Sequence, residues 1–64
     1  MHATIQFPFG GRWVDMSRYH TVARSRREVL RFPDVLAARD YCRGRIPANL
    51  HCRIATHTDT PKEG

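Results

Sequence analysis

The sequence is poor in lysine and has no long apolar run. Lys62 is its single lysine, so almost all of its positive charge comes from arginine. No apolar stretch approaches the roughly 18 residues that a membrane-spanning helix needs, and we expect no contact with a membrane. Residues 1–5 lack the basic stretch followed by an apolar stretch that marks a secretory signal. These absences lead us to expect a cytoplasmic protein.

Cysteine is also scarce, which argues against a disulfide-stabilised secreted domain. The chain has two cysteines, Cys42 and Cys52, whereas such disulfide frameworks usually contain about four or more. We expect two buried thiols, although a bridge stays open if their segments pack together. His51 and His57 lie near Cys52, but adjacent strand residues point to opposite faces and the spacing matches no zinc motif. We therefore expect neither a metal nor a cofactor.

The length of 64 residues is enough for one domain. A chain this short buries only about 60% of the surface that its unfolded state exposes, so its stability margin is thin. No serine, histidine or carboxylate stands in a pattern typical of a nucleophile or an acid–base pair. We expect a non-enzymatic protein, with residues 1–56 as one basic domain and residues 57–64 as a flexible polar tail. A homodimer would bury more surface and stays open.

The N-terminal part of the chain predicts a β-hairpin. Residues 3–9 alternate apolar and polar side chains, which is the period of a half-buried strand. Pro8 has no N–H to donate, so this strand should lie at a sheet edge there. Gly10 and Gly11 then stand between two apolar runs, which is typical of a tight turn with positive φ. Residues 12–16 are the expected second strand.

The middle of the chain has two interpretations. Residues 19–24 and 28–32 have strand composition, and a turn at Ser25 and Arg26 would join them. The alternative is one helix with its N-cap at Ser17. In that helix Arg26 would fall in the middle of the apolar face, where a core position should be apolar. We favour two strands.

A helix and a last strand complete the prediction. Pro33 and Asp34 suit the first turn and the N-cap of a helix, and Gly44 suits the residue after its end. The predicted helix covers about residues 34–43. Its expected buried stripe is Val35, Ala38, Tyr41 and Cys42. Residues 49–56 alternate as a strand does. The sequence thus predicts an α+β fold, a small antiparallel β-sheet with one α-helix packed on one face, in the order β-β-β-β-α-β.

Positive charge is the strongest functional signal. Residues 1–56 carry ten arginines against four carboxylates, a net charge of +6. Arginine presents a planar fork of donors that fits phosphate and carboxylate oxygens. The arginines concentrate between Arg18 and Arg31, and the predicted strands would place part of them on the sheet face opposite the helix. The candidate contact residues for an anionic partner are Arg18, Arg24, Arg26, Arg27, Arg31, His51 and Arg53.

Two hypotheses of different classes follow from this pattern. In the first, a small non-enzymatic binding protein uses an Arg/His-rich face to contact nucleic acid, mainly at phosphates. In the alternative, a small inhibitor or modulator, of the size that phages and mobile elements carry, docks on an acidic surface of a larger host protein or ribonucleoprotein complex.

Sequence-specific readout of bases has less support. Trp13 and Tyr19 are the only candidates for exposed stacking, because the phenylalanines fall more naturally in the core. A helix-turn-helix could place Arg39 and Arg43 in the major groove. It would require the disfavoured helix over residues 17–31.

Overall fold

The structure is a computed structural model and describes residues 1–58. Within this part of the chain there are four strands and one helix, in the order β-β-β-α-β. They are β1 (His2–Phe9), β2 (Arg12–Asp15), β3 (Arg31–Phe32), α1 (Val35–Arg45) and β4 (Arg53–His57). The predicted α+β class, with a small antiparallel sheet and one helix, is confirmed. The order differs from the prediction by one strand.

β1 is the central strand of the sheet, and each of the other described strands pairs with it in antiparallel fashion. β4 pairs with residues 2–6 of β1 along one edge. Along the other edge, β2 pairs with residues 6–9 and β3 with residues 3–4. Beyond Gln6, the pairing with β4 has ended, so Pro8 lies where β1 has one open edge. This position agrees with the missing N–H of proline.

The turn between β1 and β2 has the geometry that its glycines predict. Gly10 and Gly11 have φ values of 62° and 81°. Both values lie in the left-handed region, which a residue without Cβ enters at little cost. Two such residues form the tight turn that suits the twist of a hairpin.

α1 begins as predicted and ends later. The Asp34 side chain caps it, since its Oδ1 accepts a hydrogen bond from the Ala37 N–H at 2.9 Å. The helix runs through Gly44 to Arg45, so the prediction that Gly44 follows its end is wrong. Of the predicted stripe, Ala38 is buried, Tyr41 and Cys42 are half-buried, and Val35 is 37% exposed. Within residues 1–58, no helix is long and apolar enough to cross a membrane.

A buried serine folds the segment after β2 into a turn. Ser17 is fully buried, and its Oγ accepts hydrogen bonds from the backbone N–H groups of Tyr19 and Thr21, at 3.1 and 3.3 Å. His20 has a left-handed φ of 63°, and its ring hydrogen-bonds the Tyr41 hydroxyl on α1. Side-chain bonds to nearby backbone groups compete with the ladder of a sheet. The chain therefore turns at this point.

The predicted strand over residues 19–24 is consequently wrong, and only an isolated bridge remains there. Of the predicted strand over residues 28–32, Arg31–Phe32 pairs with β1 as β3. A turn does lie between the two segments, where the Glu28 N–H donates to the Ser25 carbonyl at 3.1 Å. The alternative helix over residues 17–31 does not form.

The last strand is shorter than predicted and lies further along the chain. The sequence pattern covers residues 49–56, whereas β4 spans Arg53–His57. A turn that ends at Leu50 occupies the preceding residues. β4 includes His57, which was assigned to the polar tail. Residues 59–64 of that predicted tail lie outside the described residues.

The apolar core lies between α1 and one face of the sheet. Its fully buried members are Ala3, Ile5, Met16 and Ala38. Half-buried apolar side chains pack against them, among them Phe7, Phe32 and Ile54. Because Ala3, Ile5 and Phe7 point toward α1, the even-numbered residues of β1 point to the opposite face of the sheet.

Candidate functional site

The sheet face opposite α1 carries polar, charged and aromatic side chains, and we call it the polar face. Directly paired residues of antiparallel strands point to the same face, so the register of the sheet defines its members. They are His2, Thr4, Gln6, Pro8, Trp13, Asp15, Arg31, Arg53, Ala55 and His57. At one end, the rings of His2 and His57 stack with their centroids 4.8 Å apart.

A chain of hydrogen bonds crosses the polar face. Arg53 Nε donates to Gln6 Oε1, and Gln6 Nε2 donates to Asp15 Oδ1, each at 2.9 Å. Asp15 Oδ1 also accepts from Thr4 Oγ1 at 2.9 Å, and the same hydroxyl lies 2.9 Å from His57 Nε2. Since Thr4 gives its one hydroxyl proton to Asp15, it accepts the hydrogen bond from His57. This chain links three neighbouring strands and holds the Arg53 side chain in place.

Trp13 lies beside the Arg53 end of this chain. The guanidinium carbon of Arg53 is over the Trp13 ring, 4.3 Å from its centroid, which is a cation–π distance. The His51 ring is 5.3 Å from the Trp13 ring and tilted by 45°. Trp13 is half-buried, whereas Arg53 and His51 are exposed. We call these three residues the tryptophan cluster.

A shallow groove of about 380 Å³ lies along the outer edge of β2, between that strand and loop residues 23–29. Three exposed arginines, Arg12, Arg24 and Arg26, line it, and Trp13 lines it too. Among the residues that the structure describes, the carboxylate that lines the groove is that of Asp15, which is half-buried and accepts two hydrogen bonds from side chains of the polar face. The charges that line the groove are thus mainly positive. We call it the arginine groove.

Two further arginines donate to carbonyl oxygens rather than to carboxylates. Arg18 donates to the carbonyl of Arg27 at 3.4 Å, and Arg31 donates to that of Arg26 at 3.1 Å. A neutral acceptor orients a guanidinium but does not cancel its charge. These bonds therefore leave the charges of Arg18 and Arg31 uncancelled. Glu28 is the one acidic residue among loop residues 23–29, where its carboxylate accepts a hydrogen bond from the Arg24 N–H at 3.3 Å, and arginines outnumber it there.

The seven predicted contact residues do not form one patch on the sheet. Arg31 and Arg53 lie on the polar face, and His51 lies beside it. Arg27 lies in the turn before β3 and is not part of the sheet. The predicted residues on the loop between β2 and β3 are Arg18, Arg24, Arg26 and Arg27.

Arg12 was missed among the contact residues, and Trp13 was considered only as a stacking candidate. Nothing local marks Arg12, because the loop that completes the groove returns from residues further along the chain. A backbone hydrogen bond from the Ala23 N–H to the Asp15 carbonyl, at 3.0 Å, holds that loop against β2. The position of Trp13 on the polar face could have been read from the hairpin register, in which it faces Pro8.

The two cysteines lie away from the arginine groove. Cys42 and Cys52 are free and half-buried at the edge of the core. Burial raises the pKa of the Cys42 thiol, and Cys52 raises it further, so this thiol stays protonated at neutral pH. Within residues 1–58, no three His, Cys, Asp or Glu side chains are grouped so that they could hold a metal ion.

Comparisons of the chain with protein-family models, with curated proteins and with solved structures gave no significant match. Its function has to be argued from its own residues. Their chemistry is clear in kind: guanidinium groups bind phosphate oxygens, and both guanidinium groups and indole rings stack on flat rings. Both groups are present here within one continuous region.

Proposed function

We propose that this protein binds nucleic acid through the arginine groove and the tryptophan cluster and catalyses no reaction. The observation that carries this proposal is the convergence of Arg12, Arg24 and Arg26 on an open groove that Trp13 also lines. Phosphates that enter the groove would release their counterions, which favours binding. We also propose that the protein binds its partner in the cytoplasm.

The loop arginines support the same proposal. Arg27 is exposed on the loop that forms one wall of the groove, and the exposed Arg18 and Arg31 donate hydrogen bonds to carbonyl groups of that loop. Positive charge spread over a surface attracts a polyanion over distances of about one Debye length, roughly 10 Å at moderate salt. We assign these arginines a general attraction for the phosphate backbone and the groove arginines direct contact with phosphates.

The test is the salt dependence of binding to labelled oligonucleotides, measured by fluorescence anisotropy. Between about 50 and about 200 mM NaCl the affinity should fall steeply, with a linear log–log plot. The double variant R24Q/R26Q should weaken binding and reduce the slope by about 1 for each arginine removed. R39Q/R43Q is the matched control, because it removes the same charge from exposed positions of α1.

Two results would contradict this proposal. One is the absence of any anisotropy change at the lowest salt concentration. The other is an equal loss of affinity in R24Q/R26Q and in R39Q/R43Q, which would mean that only net charge matters and that the groove has no role. Circular dichroism of both variants establishes that each is folded before binding is compared.

Docking on an acidic surface of a larger protein is the second candidate, and one observation favours it. A groove of about 380 Å³ at the C-terminal end of α1 is lined mainly by apolar side chains, among them Phe7, Ile46 and Leu50. Arg45 and His20 line it as well, and Leu50 is 51% exposed. An apolar centre with a polar rim is a composition typical of protein interfaces.

A nuclease-treated pull-down separates the two candidates. If the protein docks directly on another protein, one partner should remain bound in stoichiometric amount after nuclease treatment, and Leu50→Glu should release it. If all partners are lost on nuclease treatment, the docking candidate is wrong and the nucleic-acid proposal gains support.

A further inference from the structure

Arg53 differs from the other arginines of the site because its guanidinium group is held from two directions. Its Nε donates to Gln6 Oε1 at 2.9 Å, and its guanidinium carbon lies 4.3 Å from the centre of the Trp13 ring. Arg18 and Arg31, by comparison, each use a terminal nitrogen to contact a loop carbonyl. These two contacts therefore hold the planar guanidinium group of Arg53 in the protein without a ligand.

The residues behind Arg53 are themselves fixed. Gln6 stands between Asp15 on β2 and Arg53 on β4 in the register of the sheet, and its amide hydrogen-bonds both. Thr4, which is buried, donates to the same carboxylate oxygen of Asp15. A side chain that is ordered in the free protein loses little conformational entropy on binding, so a ligand gains more from contact with it.

The exposed part of this arrangement is the Arg53 side chain, which ends in a planar guanidinium group. Arg53 covers one side of the half-buried Trp13 ring and is itself exposed. Arginine planes and aromatic rings are the surfaces on which unpaired bases stack. In a duplex the bases are stacked on one another and mainly the phosphates are accessible to a protein, so its bases cannot stack on the Arg53 guanidinium. An unpaired strand offers both bases and phosphates.

Trp13 connects the Arg53 guanidinium with the arginine groove. Trp13 contacts Arg53 on the polar face and also lines the arginine groove. A strand whose base lies on Arg53 would therefore find guanidinium groups for its neighbouring phosphates on the side of Arg24 and Arg26. The exposed His51 ring lies near the same indole and offers a second flat surface.

We propose that the preferred ligand is single-stranded nucleic acid, and that an unpaired base stacks on the exposed side of the Arg53 guanidinium, above Trp13. The inference rests on the proposed function and narrows its ligand to unpaired strands. The stacking chemistry is common to DNA and RNA, since every base has a flat face.

The experiment uses the intrinsic fluorescence of Trp13, which is the single tryptophan of the chain. The full chain is titrated with oligo(dT), with oligo(U) and with a DNA duplex of equal length. The inference predicts that at least one single strand binds about tenfold more tightly than the duplex and changes the Trp13 emission. The duplex should bind through phosphates alone and change that emission less than the single strand does, because no base stacks above Trp13.

Variants that keep the net charge test the role of the plane. Arg53→Lys retains the charge but loses the planar group, so it should lower single-strand affinity by about tenfold with no change in duplex affinity. Arg39→Lys makes the same change at an exposed arginine of α1, outside the polar face and the arginine groove, and is the matched control. Gln6→Ala keeps the arginine at position 53 but removes the acceptor of its Nε–H hydrogen bond. This variant should reproduce part of the loss of single-strand affinity.

The outcomes distinguish this inference from the proposed function. Equal affinity for single strands and duplex, with unchanged Trp13 emission, overturns the inference and leaves the nucleic-acid proposal standing. Identical binding by Arg53→Lys and the parent protein also overturns it. Absence of binding to all three oligonucleotides overturns both. The thermal unfolding curve of each variant shows that a loss of affinity does not come from unfolding.

Discussion

Thr4 and Ser17 are the polar side chains that are fully buried within the described residues, and each satisfies its hydroxyl group in a different way. Thr4 bonds to side chains, since it donates to Asp15 and accepts from His57. Ser17 bonds mainly to the backbone and so sets the turn after β2. A buried hydroxyl costs free energy unless it is hydrogen-bonded, which makes both positions sensitive to substitution.

Replacement of Thr4 by valine tests the chain of hydrogen bonds on the polar face. The substitution keeps the shape but leaves Asp15 and His57 each without one hydrogen bond. We expect the free energy of unfolding in urea to fall by about 1–2 kcal/mol. Thr56→Val makes the same change at an exposed position of β4 and should alter the free energy of unfolding by less than about 0.5 kcal/mol. Equal effects of the two substitutions would argue against this role of Thr4.

At the scale of elements, β1 organises the molecule. It pairs with each of the other described strands, and its odd-numbered side chains supply Ala3 and Ile5 to the core. Its even-numbered side chains supply Thr4 and Gln6 to the polar face. One alternating strand thus builds the core on one side and supports the proposed binding surface on the other.

Two glycine substitutions test the elements that flank this core. Gly44 lies inside α1, and a Cβ added there meets no atom within 4 Å, so Gly44→Ala should stabilise the protein by about 0.5–1 kcal/mol. Gly11 has a φ of 81°, so Gly11→Ala should destabilise it by about 1 kcal/mol or more, although space is available there too. Thermal unfolding, monitored by circular dichroism, shows whether each substitution raises or lowers the stability. Destabilisation by Gly44→Ala would contradict the helix as described.

At the scale of the whole molecule, a small core carries a high positive charge. Within residues 1–58, two of the four buried apolar residues are alanines, so few large side chains of this part of the chain are removed from water. The formal net charge is +5 at pH 7. Like charges repel one another in the compact state, and a small core leaves little free energy to oppose that repulsion.

We therefore expect salt to stabilise this protein. Raising NaCl from about 10 to about 100 mM shortens the Debye length from about 30 to about 10 Å and screens the repulsion. The melting temperature should rise over this range, and it should rise less in R24Q/R26Q, which has two fewer positive charges. Differential scanning calorimetry at constant pH measures both. A melting temperature that falls with salt would mean that attractive charge pairs outweigh the repulsion.

Several features were predictable because they depend on residues close in sequence. The alternation of residues 3–9 gives β1 its two faces, and positive φ at Gly10 and Gly11 gives the hairpin turn. The Asp34 cap and the α+β class follow from equally local patterns. The strand predicted over residues 19–24 failed because strand composition says nothing of a buried Ser17 hydroxyl that captures the backbone two and four residues later.

The sequence by itself determined the charge of this protein, its arginine-rich character and the two faces of its central strand, because each depends on composition or on short-range period. Only the tertiary structure decided which arginines share a surface with Trp13. Arg53 contacts Gln6 across 47 positions of the chain, and the loop that carries Arg24 and Arg26 returns to β2 through a backbone hydrogen bond. Such contacts follow from how the chain folds back on itself, which no local pattern of residues encodes.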